Sequence, residues 1–310
     1  MKMTKKNISG ISEKKDTVQK TTLYGKRIAI SVSGSEELEQ LGLSENHIKD
    51  ATIEIARYLL VNGATMLYGG DLRHNGFTAL FSELSYQYKY LSDREARFVN
   101  YFPFPNSRFL TDNDLADFLK KQVEARILPV PKHLGDPDPR KDYKPLENVE
   151  DRFLYSECYA DMRIQMAKES NARIVLGGRQ KGYTGYFPGI VEETFHALNA
   201  GNAVYLLGGF GGATKSIIDI ISGSIPPQMT NEFQFDTAFL NDFRKYASDK
   251  FPVPLDYTFL VDFFKKYKVE TLSEQNGLTV EENQILFDSI NIHELVFLII
   301  KGLKNISNKK

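Results

Sequence analysis

Four times in the first 210 residues an apolar run of strand length stops abruptly on small residues. Arg27–Val32 runs into Ser33-Gly34-Ser35, Ala64–Tyr68 into Gly69-Gly70-Asp71, Ala172–Leu176 into Gly177-Gly178, and Ala203–Leu207 into Gly208-Gly209. Amphipathic helical stretches lie between the strands. After the first corner, Ile48, Ala51, Thr52, Ile55 and Leu59 recur at helical spacing, with Lys49, Asp50, Glu54 and Arg57 between them, until Asn62-Gly63 stops the pattern. Short, mostly apolar strands that alternate with helices must be joined by crossovers and covered on both faces. The expected fold class is α/β: a Rossmann-like, doubly wound, mostly parallel sheet.

The remaining elements follow the same rhythm. Helices are expected over Phe77–Tyr90, Asp112–Lys121, Asn148–Ser170, Pro188–Ala200 and Ala213–Ser222, and strands over Phe98–Phe102 and Arg126–Val130. Pro131–Pro145 is rich in proline and charge and reads as a long loop. Beyond Pro226-Pro227 only helical segments follow, over Thr237–Ser248, Tyr257–Tyr267, Thr279–Ser289 and Ile292–Leu303. In the third of these, Thr279 ahead of Glu281-Glu282 is a helix-start signal. Four parts result: a disordered basic tail over 1–24, a ligand-binding domain over 25–225, a helical extension packed on it over 226–304, and a disordered tail over 305–310.

Composition narrows the function. The chain has 39 Lys+Arg and 40 Asp+Glu, but residues up to Arg27 hold 8 basic and 2 acidic side chains, leaving a mildly acidic body. Such a body lacks the positive footprint that binds phosphate backbones, which argues against nucleic acid. Apolar runs such as Leu295–Ile300 fall far short of the roughly 20 residues that span a bilayer, and the polar start has no secretory core, so the expected location is cytoplasmic and no membrane partner is expected. A lone Cys158 excludes an internal disulfide, and the five histidines show no metal-ligand spacing. No metal and no resident cofactor are expected.

In an open parallel sheet, ligands bind beyond the carboxyl ends of the strands, where glycine lets backbone N–H groups approach a phosphate. The corners therefore nominate Ser33, Gly34, Gly69, Gly70, Asp71, Gly178 and Gly209 as ligand-binding residues. No G-x-G-x-x-G follows the first strand, and Asp71 is badly placed for the ribose acid of that motif, so a nicotinamide dehydrogenase is not indicated. Gly209–Ser216 misses the P-loop because Thr214 stands where the second glycine belongs. The densest polar cluster lies between Asp161 and Glu193. Arg163, Arg179 and Lys181 supply positive charge for phosphates, and Glu192 or Glu193 would accept hydrogen bonds from ribose hydroxyls. The ordinary alternative for those glutamates is to complement a helix dipole. Tyr183 and Tyr186 flank Gly185 and could stack on a base, His196 is one turn from Glu192, and Cys158 reads as core.

Met162-Arg163, the strand into Gly177-Gly178, and Pro188-Gly189 followed by Glu192-Glu193 resemble the signature of the LOG-type, lysine-decarboxylase-like proteins. The Gly-Gly-Arg loop, PGIVEE at Pro188–Glu193, LLGGFGGAT at Leu206–Thr214 and NGLTVEENQILF at Asn276–Phe287 resemble the wider SLOG superfamily still more. The similarity is to the bacterial SLOG domains associated with TIR, Sir2 and nucleoside-phosphorylase-like domains, including the sensors of Thoeris-type anti-phage effectors. It runs from about Arg27 to Leu303. It implies one of two activities. LOG enzymes hydrolyse the N-glycosidic bond of nucleoside monophosphates with an Arg and a Glu that match Arg163 and Glu193; SLOG sensors bind nucleotide-derived second messengers, cyclic ADP-ribose isomers among them.

Here Gly189 is followed by Ile190-Val191-Glu192, without the second Gly and the Gly-Thr of the LOG phosphate loop, which points to sensing. The expectation is a sensor of a nucleotide-derived small molecule in anti-phage or stress signalling, acting as a homo-oligomer or through a separate effector. Arg163→Ala and Glu193→Gln are expected to remove ligand stabilisation while leaving the unliganded melt unchanged.

Overall fold

The computed structural model describes residues 21–73, 75–88, 96–250 and 255–308. Its centre is one sheet of six strands: β1 (Arg27–Ser33), β2 (Thr65–Gly69), β3 (Phe98–Phe102), β4 (Val123–Ile127), β5 (Ala172–Gly177) and β6 (Ala203–Leu207). They lie in the order β4-β3-β2-β1-β5-β6, and all five pairings are parallel. The chain steps outward from β1 to β4, then returns to the other flank of β1 for β5 and β6. The order reverses between β1 and β5, which opens a crevice at their carboxyl ends.

The crossover helices are α1 (Glu45–Val61), α2 (Phe77–Gln87), α3 (Asp112–Lys120), α4 (Val149–Glu169) and α5 (Gly189–Asn199), and α6 (Gly212–Ile221) follows the last strand. Alternation along the strands assigns each face its core. Ile28, Ile30, Val32, Met66, Ile174 and Tyr205 share one cluster with Ile48, Ile55 and Leu59 of α1. On the opposite face Ala29, Leu67, Val99 and Tyr101 pack on Met162 and Met166 of α4, while Val175, Val204 and Leu206 pack under α5 and α6. Both faces are covered by helices, as an all-parallel sheet requires, and each buried Leu or Ile contributes about 1.5–3 kcal/mol.

The helical extension comprises α7 (Asn231–Gln234), α8 (Ala238–Lys250), α9 (Tyr257–Phe264), α10 (Val269–Asn276), α11 (Val280–Asp288) and α12 (Ile292–Asn308). It packs on the sheet domain at several places: α8 on α4, α9 on α5 and α6, α10 and α11 on β6, and α12 on α1. Thr279 and Glu282 close a reciprocal cap at the start of α11: Glu282 N–H donates to Thr279 Oγ1 at 3.2 Å, and Thr279 N–H donates to Glu282 Oε2 at 3.0 Å. Asn276, fully buried, donates from Nδ2 to Val204 O on β6 at 3.0 Å, and Tyr205 Oη returns a bond to Asn276 O at 2.8 Å. Among the described residues no helix is long and apolar enough to cross a membrane.

Three expectations change. The fourth strand was expected over Arg126–Val130 but occupies Val123–Ile127, because Pro129 has no N–H to give a ladder. Leu23 fell in the expected 1–24 tail, yet it is fully buried in the α1 core and its N–H reaches Asn62 O at 2.9 Å; residues 1–20 lie outside the described residues. The 305–310 tail starts too early, since α12 continues to Asn308 and Asn305 Nδ2 donates to Gly277 O at 2.8 Å; residues 309–310 are outside the description. Helix α10, anchored in the core by Leu272, lies between the expected helices Tyr257–Tyr267 and Thr279–Ser289 and adds to them. The expected helical end at residues 89–90 also falls outside the described residues.

Candidate functional site

A cleft of about 790 Å³ opens at the carboxyl ends of β1, β2 and β5, over the reversal of strand order. Its walls come from the corners of β1 and β2, the first turn of α1, the loop between β5 and α5, and the start of α5. Gly177 makes the close approach possible. It has φ +66°, in the left-handed region, and a Cβ there would overlap Ser33 O on the neighbouring strand.

Eight of the residues nominated from the sequence line this cleft: Ser33, Gly34, Gly69, Asp71, Arg163, Arg179, Lys181 and Glu193. Four do not. Gly70 backs onto Asn100 and Phe102 of β3, Gly178 packs against Ala213 and Ile190, and Gly209 is pressed against Ser289 and Ile290 of the extension. At these three corners the absent side chain serves packing between elements. Glu192 points to the other side of α5, into a separate, mostly apolar cavity of about 540 Å³ with His196, Phe195 and Phe259.

The paired glutamates of α5 therefore have different surroundings. Glu192, 3% exposed, accepts from Arg163 Nη1 at 2.8 Å and from the Phe187 N–H at 3.4 Å, with His196 Nε2 at 3.8 Å. Burial pushes its carboxyl up, but the Arg163 guanidinium and the His196 ring outweigh that and hold it below the usual range. Glu193 faces the cleft. Its Oε2 accepts from Ser31 Oγ and from Arg173 Nη1 at 2.8 Å, while Oε1 lies 3.9 Å from Arg163 Nε. Arg173 is fully buried within β5 and also donates to Ser31 Oγ at 2.6 Å. Burial lowers its pKa, and the Glu193 carboxylate works against that. The result is a fixed carboxylate whose second oxygen is turned to the ligand space.

The cationic side chains are not equivalent. Arg163 is almost buried and committed to Glu192. Lys181 bridges Asp236 at 2.8 Å and also donates to Phe233 O, so its charge ties the cleft loop to the extension. Arg179 is exposed and makes no ion pair among the described residues, although its N–H donates to Ser33 Oγ at 3.2 Å. Tyr183 lines the cleft, and its hydroxyl bonds Gln234 and Tyr257 of the extension at 3.1 and 3.0 Å. Tyr186 turns away into the apolar cavity and donates to Glu157.

Opposite them, Asp71 forms a two-pronged pair with Arg73 and accepts from Tyr68 Oη at 3.3 Å. Burial, then the Asp71 and Glu193 carboxylates, raise the Tyr68 pKa well above its ordinary value, so this hydroxyl stays a donor. Of the cations that line the cleft, Arg73, Arg163 and Lys181 are paired with Asp71, Glu192 and Asp236, while Lys49 and Arg179 make no ion pair among the described residues. A concave site at strand ends that offers unpaired cations beside the Glu193 carboxylate suits an anion that also bears hydroxyls.

Sequence reasoning passed over Ser31, Arg173, Tyr68, Tyr159 and Arg73. The strongest missed signal was a Ser and an Arg inside otherwise apolar strands, AISVS and ARIVLG, where an inward polar side chain needs a partner. The near-miss P-loop run is structural: Thr214 Oγ1 donates to Gly177 O at 2.8 Å and Lys215 pairs with Asp219 at 2.9 Å.

Residues 22–286 match the model of the family described as SLOG cluster2. No curated protein shows a significant match to the chain.

Proposed function

The chain belongs to the SLOG family of nucleotide-related Rossmann-like domains, and from that premise we propose that it senses a nucleotide-derived small molecule in the cleft at the ends of β1, β2 and β5. Arg163, Arg179, Lys181 and the first turn of α5 meet phosphates; Glu193, held by Arg173 and Ser31, accepts ribose hydroxyls; Ser33, Gly34 and Gly69 let the ligand approach the backbone. One observation carries the step from binding to sensing. The loop of Arg179–Gly185 is a cleft wall, and Lys181 and Tyr183 in that loop are anchored on Phe233, Gln234, Asp236 and Tyr257 of the helical extension. A ligand that draws this loop inward competes for Lys181 and so shifts the extension. The output then passes to another copy or to a separate effector, in the setting of anti-phage or stress signalling.

A second reading has its own support. A carboxylate fixed by Arg173, with Glu193 Oε1 beside Arg163, is what hydrolysis of a nucleotide N-glycosidic bond would use. One experiment separates the two. The full chain is incubated with nucleoside monophosphates, NAD, linear ADP-ribose and cyclic ADP-ribose, with melting temperature and chromatography followed in parallel. A raised melting temperature with intact ligand supports sensing, and release of free base supports hydrolysis. Silence toward every nucleotide refutes both.

A further inference from the structure

Arg152, near the start of α4, is 3% exposed and faces no carboxylate among the described residues. Arg163 and Arg173, the other two buried arginines at the site, each have one. The Arg152 guanidinium instead sits among ring faces, with Cζ 4.7 Å from the centroid of Phe243, 5.3 Å from Tyr183 and 5.9 Å from Phe239. Its hydrogen bond is a long one, from Nη2 to Gly185 O at 3.5 Å, and Nε is buried with no acceptor. Rings and one stretched carbonyl contact restore only part of the hydration a guanidinium gives up, and a buried charge ordinarily acquires a counter-charge. Arginine does not escape by losing its proton.

The position of that charge is informative. Tyr183 and Gly185, its two contacts in the β5–α5 loop, both line the cleft. Arg152 therefore lies one residue layer behind the wall, where little water intervenes to screen it. Helix α4 brings Arg152, Ser156, Tyr159 and Arg163 onto one stripe by steps of four, three and four. Ser156 Oγ holds Thr184 O at 3.2 Å, and Tyr159 and Arg163 continue the stripe into the cleft itself. The stripe thus both fixes the loop and directs two positive charges at it.

We infer that Arg152 is a positioning and specificity residue of the cleft whose counter-charge is a phosphate of the bound ligand, seated against the Thr184–Gly185 wall. This rests on the reading of the cleft as a nucleotide site. The test is calorimetric titration of the full-length wild type, Arg152→Met and Phe239→Glu with ADP-ribose, AMP, inorganic pyrophosphate and adenosine. Arg152→Met is expected to raise the Kd of the phosphate-bearing probes at least tenfold, about 1.4 kcal/mol. Adenosine should bind as in the wild type, and the unliganded melting temperature should not fall.

Phe239→Glu keeps the arginine but gives it a carboxylate, and the same selective weakening is expected; it decides the matter if Arg152→Met does not fold. Retention of ADP-ribose affinity within twofold in the folded variants overturns the role of Arg152 alone. Equal loss of adenosine also overturns it, because the contribution would then be structural. Tight binding of pyrophosphate without any nucleotide preference keeps the phosphate contact and overturns the nucleotide reading. A wild type that binds no probe overturns both.

Discussion

Arg163→Ala provides the sharpest test of the site's electrostatics. The substitution leaves Glu192, 3% exposed, without the guanidinium 2.8 Å away. Breaking a buried pair by deleting one partner costs about 3–5 kcal/mol, because the remaining charge stays desolvated. His196 at 3.8 Å and the Phe187 N–H remain, which places the loss at the lower end, about 3 kcal/mol. At about 2 °C per kcal/mol for a chain of this size, the melting temperature falls by roughly 6 °C. This replaces the expectation from sequence that the unliganded melt would not change.

The pH dependence follows from the direction of the shift. In the wild type the Glu192 pKa is depressed in the fold, so the pair's stabilisation is complete above the ordinary carboxylate pKa and fades as pH falls through the depressed value. In Arg163→Ala burial dominates and the folded pKa rises, so the carboxyl recovers its proton as the solution is acidified. The penalty is therefore largest at pH 8 and shrinks toward pH 5. Differential scanning calorimetry at both pH values measures it, and Arg163→Met/Glu192→Leu should recover most of the loss. A variant melting within 1 °C of wild type at pH 8, or an equal loss at both pH values, would refute the reasoning.

Gly177→Ala puts a Cβ at φ +66° against Ser33 O, and urea unfolding should show a loss of about 2 kcal/mol or more together with a weakened ligand response. Asn276→Ala orphans Val204 O inside the core and should lower stability by about 2 kcal/mol in the same measurement, with ligand affinity unaltered. Burial pushes the Cys158 thiol up to about 12, so it should resist a thiol reagent at pH 8 in the folded protein and react after denaturation. Rapid modification of the native chain would contradict that placement.

The sheet was legible because its strands are mostly apolar and β1, β2, β5 and β6 each run into glycine, a pattern that period and turn chemistry decode locally. β4 was misplaced because it is an edge strand whose alternation of Val123, Glu124, Ala125 and Arg126 is a weaker signal than the apolar run at Ile127–Val130. At the site, Arg163, Arg179, Lys181 and Glu193 were found because charge next to glycine corners is conspicuous. What each charge faces was not legible. Lys181 meets Asp236 some 55 residues later and Glu193 meets Ser31 some 162 residues earlier, pairings that only tertiary structure reveals. The glycines mislead in the same way: Gly69 and Gly70 are adjacent in sequence, but only Gly69 opens on the cleft.

Asn276 has an implication for assembly. Its amide occupies a carbonyl on the outer side of β6, and α10 and α11 lie along that margin. A sheet with a bare border invites strand addition from another chain; this one is closed there by side-chain mimicry of the missing neighbour. The opposite border, β4, is left with Glu124 and Arg126 as alternating gatekeepers. Neither border therefore favours pairing with a strand from another chain, and the sheet serves as an internal scaffold rather than as a docking edge.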